Sequence, residues 1–262
     1  MFNLIQADLF KLSKSMAIKI LFALTTVSAV VMAVMAYLIP QGKIEANMTG
    51  IGFMFSDVNM ISILGAVIAG IFICGDFDNK TIHDAIANGC SRAAVIVSKA
   101  IVLGCAITLI LLPYVIITGV ALSTGSEFSM GSVAVGFLHL LTSSDGSTID
   151  IWTLLSALVT LIILYVAQLS VCVPLAFVLK KPVLVVAIYY GFSILTAQLT
   201  RLSDSYPVFG RIVSWTPYGG NYAFVTLDTG TGDMVTAITV SILFMIVMIA
   251  VTYSAFRKSE IK

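Results

Sequence analysis

Read for runs of apolar positions, the chain divides into six long stretches free of Asp, Glu, Lys and Arg: 20–39, 58–75, 100–126, 151–179, 182–200 and 234–256. Each is long enough for an α-helix to cross the hydrocarbon core of a bilayer, which takes roughly 17–25 mostly apolar residues. In the third, about 100–122 would be the span. The first is not expected to be a cleaved signal: its run is too long, no good small-residue cleavage site follows, and five more spans come after it. A seventh run, Phe128–Ser144, holds His139, two glycines and five hydroxyl residues. That composition makes a poor span, and the run reads as an interfacial or re-entrant segment. Before the first span, Phe2, Ile5, Leu9, Leu12 and Met16 recur at three- and four-residue steps, with Asn3, Gln6, Asp8, Lys11 and Lys14 mostly off that stripe. The pattern predicts an amphipathic helix over 1–16 lying in the membrane interface. The expected fold is an all-α polytopic membrane protein: six transmembrane helices and an N-terminal interfacial helix, as a single membrane domain over 1–262.

The basic residues orient these spans. With six crossings, one side carries eleven of the 14 Lys and Arg: Lys11, Lys14, Lys19, Lys80, Arg92, Lys99, Lys180, Lys181, Arg257, Lys258 and Lys262. The other carries Lys43, Arg201 and Arg211. The positive-inside bias puts both termini in the cytoplasm. A seventh span would reverse five of the eleven, so 128–144 is expected on the outer face. The outer segments also hold Glu45, Asp57, Glu127, Asp145, Asp150, Asp204, Asp228 and Asp233, an acidic balance able to draw cationic peptides. Positive-inside asymmetry alone produces much of the same contrast. The sequon Asn47-Met48-Thr49 falls on this side, and a lone interfacial His139 reads as structural.

Composition agrees with the pattern. Hydrophobic residues make up 59% and charged residues 10%, with a mean hydropathy of +1.07, against about 25% charged in soluble domains. A net charge of +1 offers no footprint for nucleic acid. The cysteines, Cys74, Cys90, Cys105 and Cys172, show no CxxC spacing, so neither a zinc site nor a redox pair is expected. The longest segment outside the spans, 201–233, is too short for an independent domain. A GxxxxGK[ST] phosphate loop is missing, as are HExxH and GxSxG. The chain is therefore not expected to be an enzyme, and energy from ATP would have to come from another polypeptide.

The loop over 76–99 carries the most local information. Asp78 or Asn79 is placed to cap a short helix over 79–88, Gly89 to end it, and Ser91 to cap a helix running into the third span. Ile82, Ala85 and Ile86 fall on one face, an apolar face suited to a docking partner. Arg92 and Lys99 share a face and are expected to anchor the third span at the headgroups.

The acidic residue after the second span, Lys80-Thr81-Ile82, the Gly89-x-Ser91-Arg92 turn and the Ser98-Lys99 pair resemble the ABC-2 type permeases. The resemblance extends to the layout: an amphipathic N-terminal helix, six spans, both ends cytoplasmic, and a Pro-Tyr element after span five, here Trp215-Thr216-Pro217-Tyr218. In size and loop lengths the chain looks most like the small bacterial permeases of peptide-antibiotic export and immunity systems. Asp76 and Asp78 stand where such loops often carry Glu, and His83 and Asp84 make this one more acidic. The resemblance implies a bacterial plasma-membrane permease working as a dimer, identical or paired with a similar chain, on two cytoplasmic ATPase subunits. ATP and Mg would be bound by the ATPase, with no cofactor on this chain. Thr81, Ile82, Asp84, Ala85 and Ile86 would then belong to the coupling helix that seats in the ATPase.

Polar residues within spans are functional candidates because an unpartnered polar group in lipid is costly. Gln168 in span four and Tyr189, Tyr190 and Gln198 in span five are such groups; helix–helix hydrogen bonding is the competing reading, and Gln168, Tyr189 and Gln198 are taken as pathway candidates. With no Asp, Glu, Lys or Arg expected deep in a span, an ion-coupled carrier is disfavoured. Ser62, Ala66, Gly70 and Cys74 form a small-residue stripe suited to close packing within the chain or between two chains, and Pro113 and Pro174 are expected to kink their spans. The alternative from another class is an ATP-independent channel, or an immunity protein that binds a toxin in the bilayer; a membrane enzyme would need an acid/base or nucleophile cluster that the chain lacks.

Overall fold

The computed structural model describes residues 2–44, 49–130, 135–143, 150–203, 206–219 and 224–258. Glu45, Asn47, Met48, Asp145, Asp204, Lys262 and positions 131–134 and 144 of the seventh run lie outside the described residues. Among the described residues every regular element is a helix. Helix α1 (Phe2–Lys14) is followed by α2 (Met16–Leu38) and the short α3 (Thr49–Met54). The second span is composite: α4 (Asp57–Ala69), a π-helical turn at Gly70–Cys74, and α5 (Gly75–Asp78). Then come α6 (Thr81–Ala87), the long α7 (Arg92–Ser123) and α8 (Gly136–Thr142). The fourth span is α9 (Ile151–Leu169) plus α10 (Cys172–Leu179), and α11 (Pro182–Ser203), α12 (Pro207–Val213) and α13 (Thr231–Lys258) complete the chain.

Six helices are long and apolar enough to span a membrane: Met16–Leu38, Asp57–Asp78, Arg92–Ser123, Ile151–Leu179, Pro182–Leu199 and Thr231–Arg257. All six expected spans are present, and the chain is a multi-pass membrane protein in that sense. The start of α1 and the end of α13 lie at one end of the bundle, since Lys99 near the start of α7 reaches Asp8 on α1, while Arg92 reaches the last turn of α13. We call this the terminal end. Trp152, which opens the fourth span at the opposite end, is 76% exposed, where an amphipathic ring suits a membrane–water boundary.

In lipid the helices gain nothing from hiding apolar surface, so close packing and hydrogen bonds must hold them. The small-residue stripe of the second span serves that purpose within the chain. Ser62 Oγ lies 3.2 Å from Ser193 Oγ, and Cys74 Sγ donates to the Ala176 carbonyl at 3.7 Å. Gly70 lets the backbone of Pro182 come so near that a Cβ would stand 3.0 Å from its Cα. The two expected proline kinks resolve differently. Helix α7 continues unbroken through the buried Pro113. Span four breaks at Ser170–Val171, four residues before Pro174, whose ring cannot donate to the Ser170 carbonyl; Val173 N–H bonds that carbonyl instead, at 3.0 Å.

Segment α8 is inserted into the far end of the bundle rather than lying on it: Phe137, Leu138, Leu140 and Leu141 are fully buried against α2, α4, α7 and α9. Seven residues give only about 10 Å of helix, far short of a crossing. Its entry is fixed by Asp57, whose carboxylate accepts from the Phe137 N–H at 2.8 Å, the Leu138 N–H at 3.3 Å, and the Tyr165 hydroxyl. Phe137 stacks between Tyr114 and Tyr165, ring centroids 6.5 and 5.9 Å away. Asp57 was expected among the solvated outer acids; it is wholly buried and satisfied by three donors, so it adds nothing to an acidic outer face.

Candidate functional site

Two regions gather the candidate residues. The first is the terminal end around α6. Its last turn closes as expected, with Gly89 at φ +89, the Gly89 N–H on the Ile86 carbonyl and the Cys90 N–H on that of Ala85, both at 3.0 Å. Ser91 then caps α7 by accepting from the Ala94 N–H at 3.2 Å. The start differs from expectation: neither Asp78 nor Asn79 caps α6. Lys80 turns the chain in the left-handed region, φ 58, and the Thr81 hydroxyl donates back to the Asp76 carbonyl at 3.1 Å.

On the face of α6, Ile82 is 1% exposed and covered by the chain itself, while Ala85 and Ile86 are partly buried against the core. What α6 and its flanks offer outward is polar: Asn79, Lys80, Thr81, Asp84 and Asn88 are exposed. The reason is ordinary packing: α6 lies against α5 and α7, and Ile82 joins the buried cluster that also holds Phe77, Phe177 and Phe256, whose rings stack edge-to-face at 5.1–6.1 Å.

Arg92 and Lys99 were expected at the headgroups. Lys99 is instead 3% exposed. Its ammonium lies 2.7 and 2.8 Å from the two Asp8 oxygens and also pairs with Asp76, which in turn pairs with Lys11; Ser98 donates to Asp8 at 3.3 Å. Two cations and two carboxylates thus form a neutral cluster tying α1 to spans two and three. Asp8, which the sequence pattern places off the apolar stripe of α1, is 7% exposed within it. Burial of such charges is tolerable only when each has a partner. Arg92 is half-buried and donates to the Phe256 and Arg257 carbonyls at 3.0 and 3.1 Å, capping the C-terminal turn of α13 over the Phe256 ring. Neither side chain is committed to a headgroup.

The second region is a cavity of about 370 Å³ between α4, α9 and α11, in the half of the bundle away from the termini. Gln168 and Gln198 line it, as do Asn59, Ser62, Ser193 and Thr196. Tyr189 does not. It is 1% exposed and bonds Tyr218, whose hydroxyl donates to the Gln168 carbonyl at 2.7 Å. Tyr190 lines the cavity in its place, because neighbouring positions on a helix point about 100° apart. The sequence signal was the series Tyr190, Ser193, Ala197 at three- and four-residue steps, which selects the cavity-facing side of α11 and leaves out Tyr189. His139, on α8, sits edge-to-face with Phe224 at 5.3 Å, and burial holds its imidazole below the usual range.

Gln168 is both lining and clamp: its Nε2 donates to the Pro217 carbonyl at 2.9 Å and so pins the Pro217-Tyr218 turn against span four. Gln168→Ala is expected to cost about 1 kcal/mol and to speed amide hydrogen exchange over 215–218. Unchanged exchange there would remove the clamp. No group of three or more His, Cys, Asp or Glu suited to a metal occurs among the described residues. No protein-family model matches the chain, and no curated protein matches it either.

Proposed function

We propose that the chain is the membrane-spanning permease subunit of an ATP-binding-cassette exporter of the ABC-2 type, moving a peptide antibiotic or another amphipathic compound with ATP hydrolysed by separate cytoplasmic subunits. On this reading the terminal end faces the cytoplasm, α1 lies along the inner interface, and two chains, identical or similar, share two ATPases that bind ATP and Mg. The observation that carries it is the short helix α6, closed at its C-terminal end by Gly89 and joined through Ser91 directly to the long α7. A load applied to such a helix passes to spans two and three with little give. The mixed polar and apolar cavity between α4, α9 and α11 supports a pathway in the same bundle. Coupling falls to the exposed edge, Thr81 and Asp84, with Lys80 and Asn88 beside them; Ile82, Ala85 and Ile86 hold α6 to its own chain. ATP-driven closure would draw the α6 helices of the two subunits together and rock the spans.

One observation favours the alternative of an ATP-independent channel or toxin-binding immunity protein: the apolar face of α6 has no need of a partner, because the chain itself covers Ile82. Purification in mild detergent, with mass spectrometry of what copurifies, separates the two. The permease reading expects a stoichiometric cytoplasmic protein with a phosphate-binding loop, lost from the double variant Thr81→Arg/Asp84→Arg while that variant still elutes as a folded protein. A chain that repeatedly emerges folded and alone would end the ATP-coupled reading in favour of the alternative.

A further inference from the structure

The cavity's chemistry restricts what fills it. Among its described lining residues none carries a charge. The apolar share comes from side chains such as Phe53, Leu161, Leu164 and Ile194, and the polar share from amides and hydroxyls. Several of these have bonding capacity to spare. Asn59 uses its amide N–H groups on the Phe53 carbonyl at 2.8 Å and Ser56 Oγ at 3.3 Å, and its oxygen has no partner among the described residues. Gln168 uses its own N–H on Pro217, leaving its side-chain oxygen. The Tyr165 hydroxyl donates to Asp57 and keeps a lone pair. Tyr190 and Gln198 have no hydrogen bond to any described residue. The wall therefore offers both donors and acceptors without a formal charge.

A buried charge beside this wall sharpens this. Asp57 lies behind Gly136 and Tyr165, is wholly buried, and has its oxygens engaged by two N–H groups and a hydroxyl. It is not available to pair with a cation in the cavity. The first N–H groups of α8, which would otherwise favour an anion, are already held by that carboxylate. Among the described residues of this wall, a phosphate headgroup or a free carboxylate meets no cation, and an ammonium no open anion. Burying either without a partner is costly.

We infer that this cavity binds the uncharged, hydrogen-bonding part of an amphipathic compound, one carrying amide or hydroxyl groups beside apolar ones, and that it discriminates against ligands charged in that part. The inference rests on the transport reading only for the movement of the ligand; the binding itself needs no ATPase. The test is equilibrium binding to the purified full chain in lipid nanodiscs, followed by fluorescence. The probes are dansyl-Phe-Leu-amide, the same dipeptide with a free carboxylate, dansyl-Phe-Lys-amide, and a dansyl alkyl glucoside. Either the neutral amide or the neutral glucoside, or both, should bind about tenfold or more tighter than both charged probes, and the better of the two identifies the group recognised. Tyr190→Phe and Gln198→Ala should each weaken that binding several-fold, and Gln198→Glu should shift preference toward the lysine probe. Equal or tighter binding of a charged probe to the unmodified chain, or neutral binding unmoved by all three substitutions, would overturn the inference. Loss of ATPase copurification with binding retained would defeat only the transport reading.

Discussion

Lys99→Met is expected to cost the folded protein about 3–5 kcal/mol, the range for removing one partner from a buried charge pair. The substitution keeps the length of the side chain but leaves Asp8 and Asp76 facing each other, with only the half-exposed Lys11 to balance them. The loss should appear as an earlier thermal transition in detergent and a shrunken folded peak on size exclusion. The informative companion is Asp8→Asn/Asp76→Asn/Lys99→Met. Because a buried ion cluster is often worth little more than a neutral one of the same shape, the triple variant should recover most of the loss. Recovery would show that uncompensated charge does the damage. A single Lys99→Met variant as stable as the parent would mean that the cluster does not hold α1 to the bundle.

The other large effect is expected at the far end. Asp57→Ala strands the N–H groups of Phe137 and Leu138 and the hydroxyl of Tyr165. Each buried group left unsatisfied costs about 1–3 kcal/mol, so α8 should leave its seat before the rest of the bundle unfolds. Asp57→Asn keeps one acceptor and should do less harm. Gly136→Val attacks the same seat sterically: Gly136 sits at φ +64, and any Cβ there would overlap both Asp57 Oδ2 and Tyr165 Oη. A cysteine placed at the fully buried Leu140 reports the event. It should resist a membrane-impermeant thiol reagent in the parent background and react in the Asp57→Ala and Gly136→Val backgrounds. Protection in all three would mean that α8 is held by its apolar contacts alone.

Features set by short range were legible in the sequence. The six spans follow from charge-free runs, and the end of α6 follows from Gly89 and Ser91, whose partners lie within five residues. The limits came from long range. Nothing near Lys99 in sequence announces Asp8, 91 residues away, and an amphipathic stripe that places Asp8 off the apolar face reads equally well for water or for a buried cation. Asp57 looked like a solvated loop acid because it borders its span; its partners belong to α8 and α9, which no local pattern brings together. Ile82 shows the same limit, since an apolar helix face is identical in sequence whether a partner or the chain's own core covers it. In the cavity, Gln168 and Gln198 were found because a polar residue in a span is conspicuous, whereas Tyr189 and Tyr190 are equally so, and only the three-dimensional arrangement selects Tyr190.

The π-helical turn at Gly70–Cys74 has a consequence for insertions and deletions. A turn with i→i+5 bonding accommodates one residue more than its α-helical counterpart, so it resets the angular phase of all that follows by about 100°. Asp76, two residues beyond, meets Lys99 in the shifted phase; in a uniformly α-helical span the same carboxylate would be turned about 100° away from it. Deleting a single residue within 70–74 therefore amounts to a rotation of the span's final turn, and it would part the ion cluster without removing any of its members.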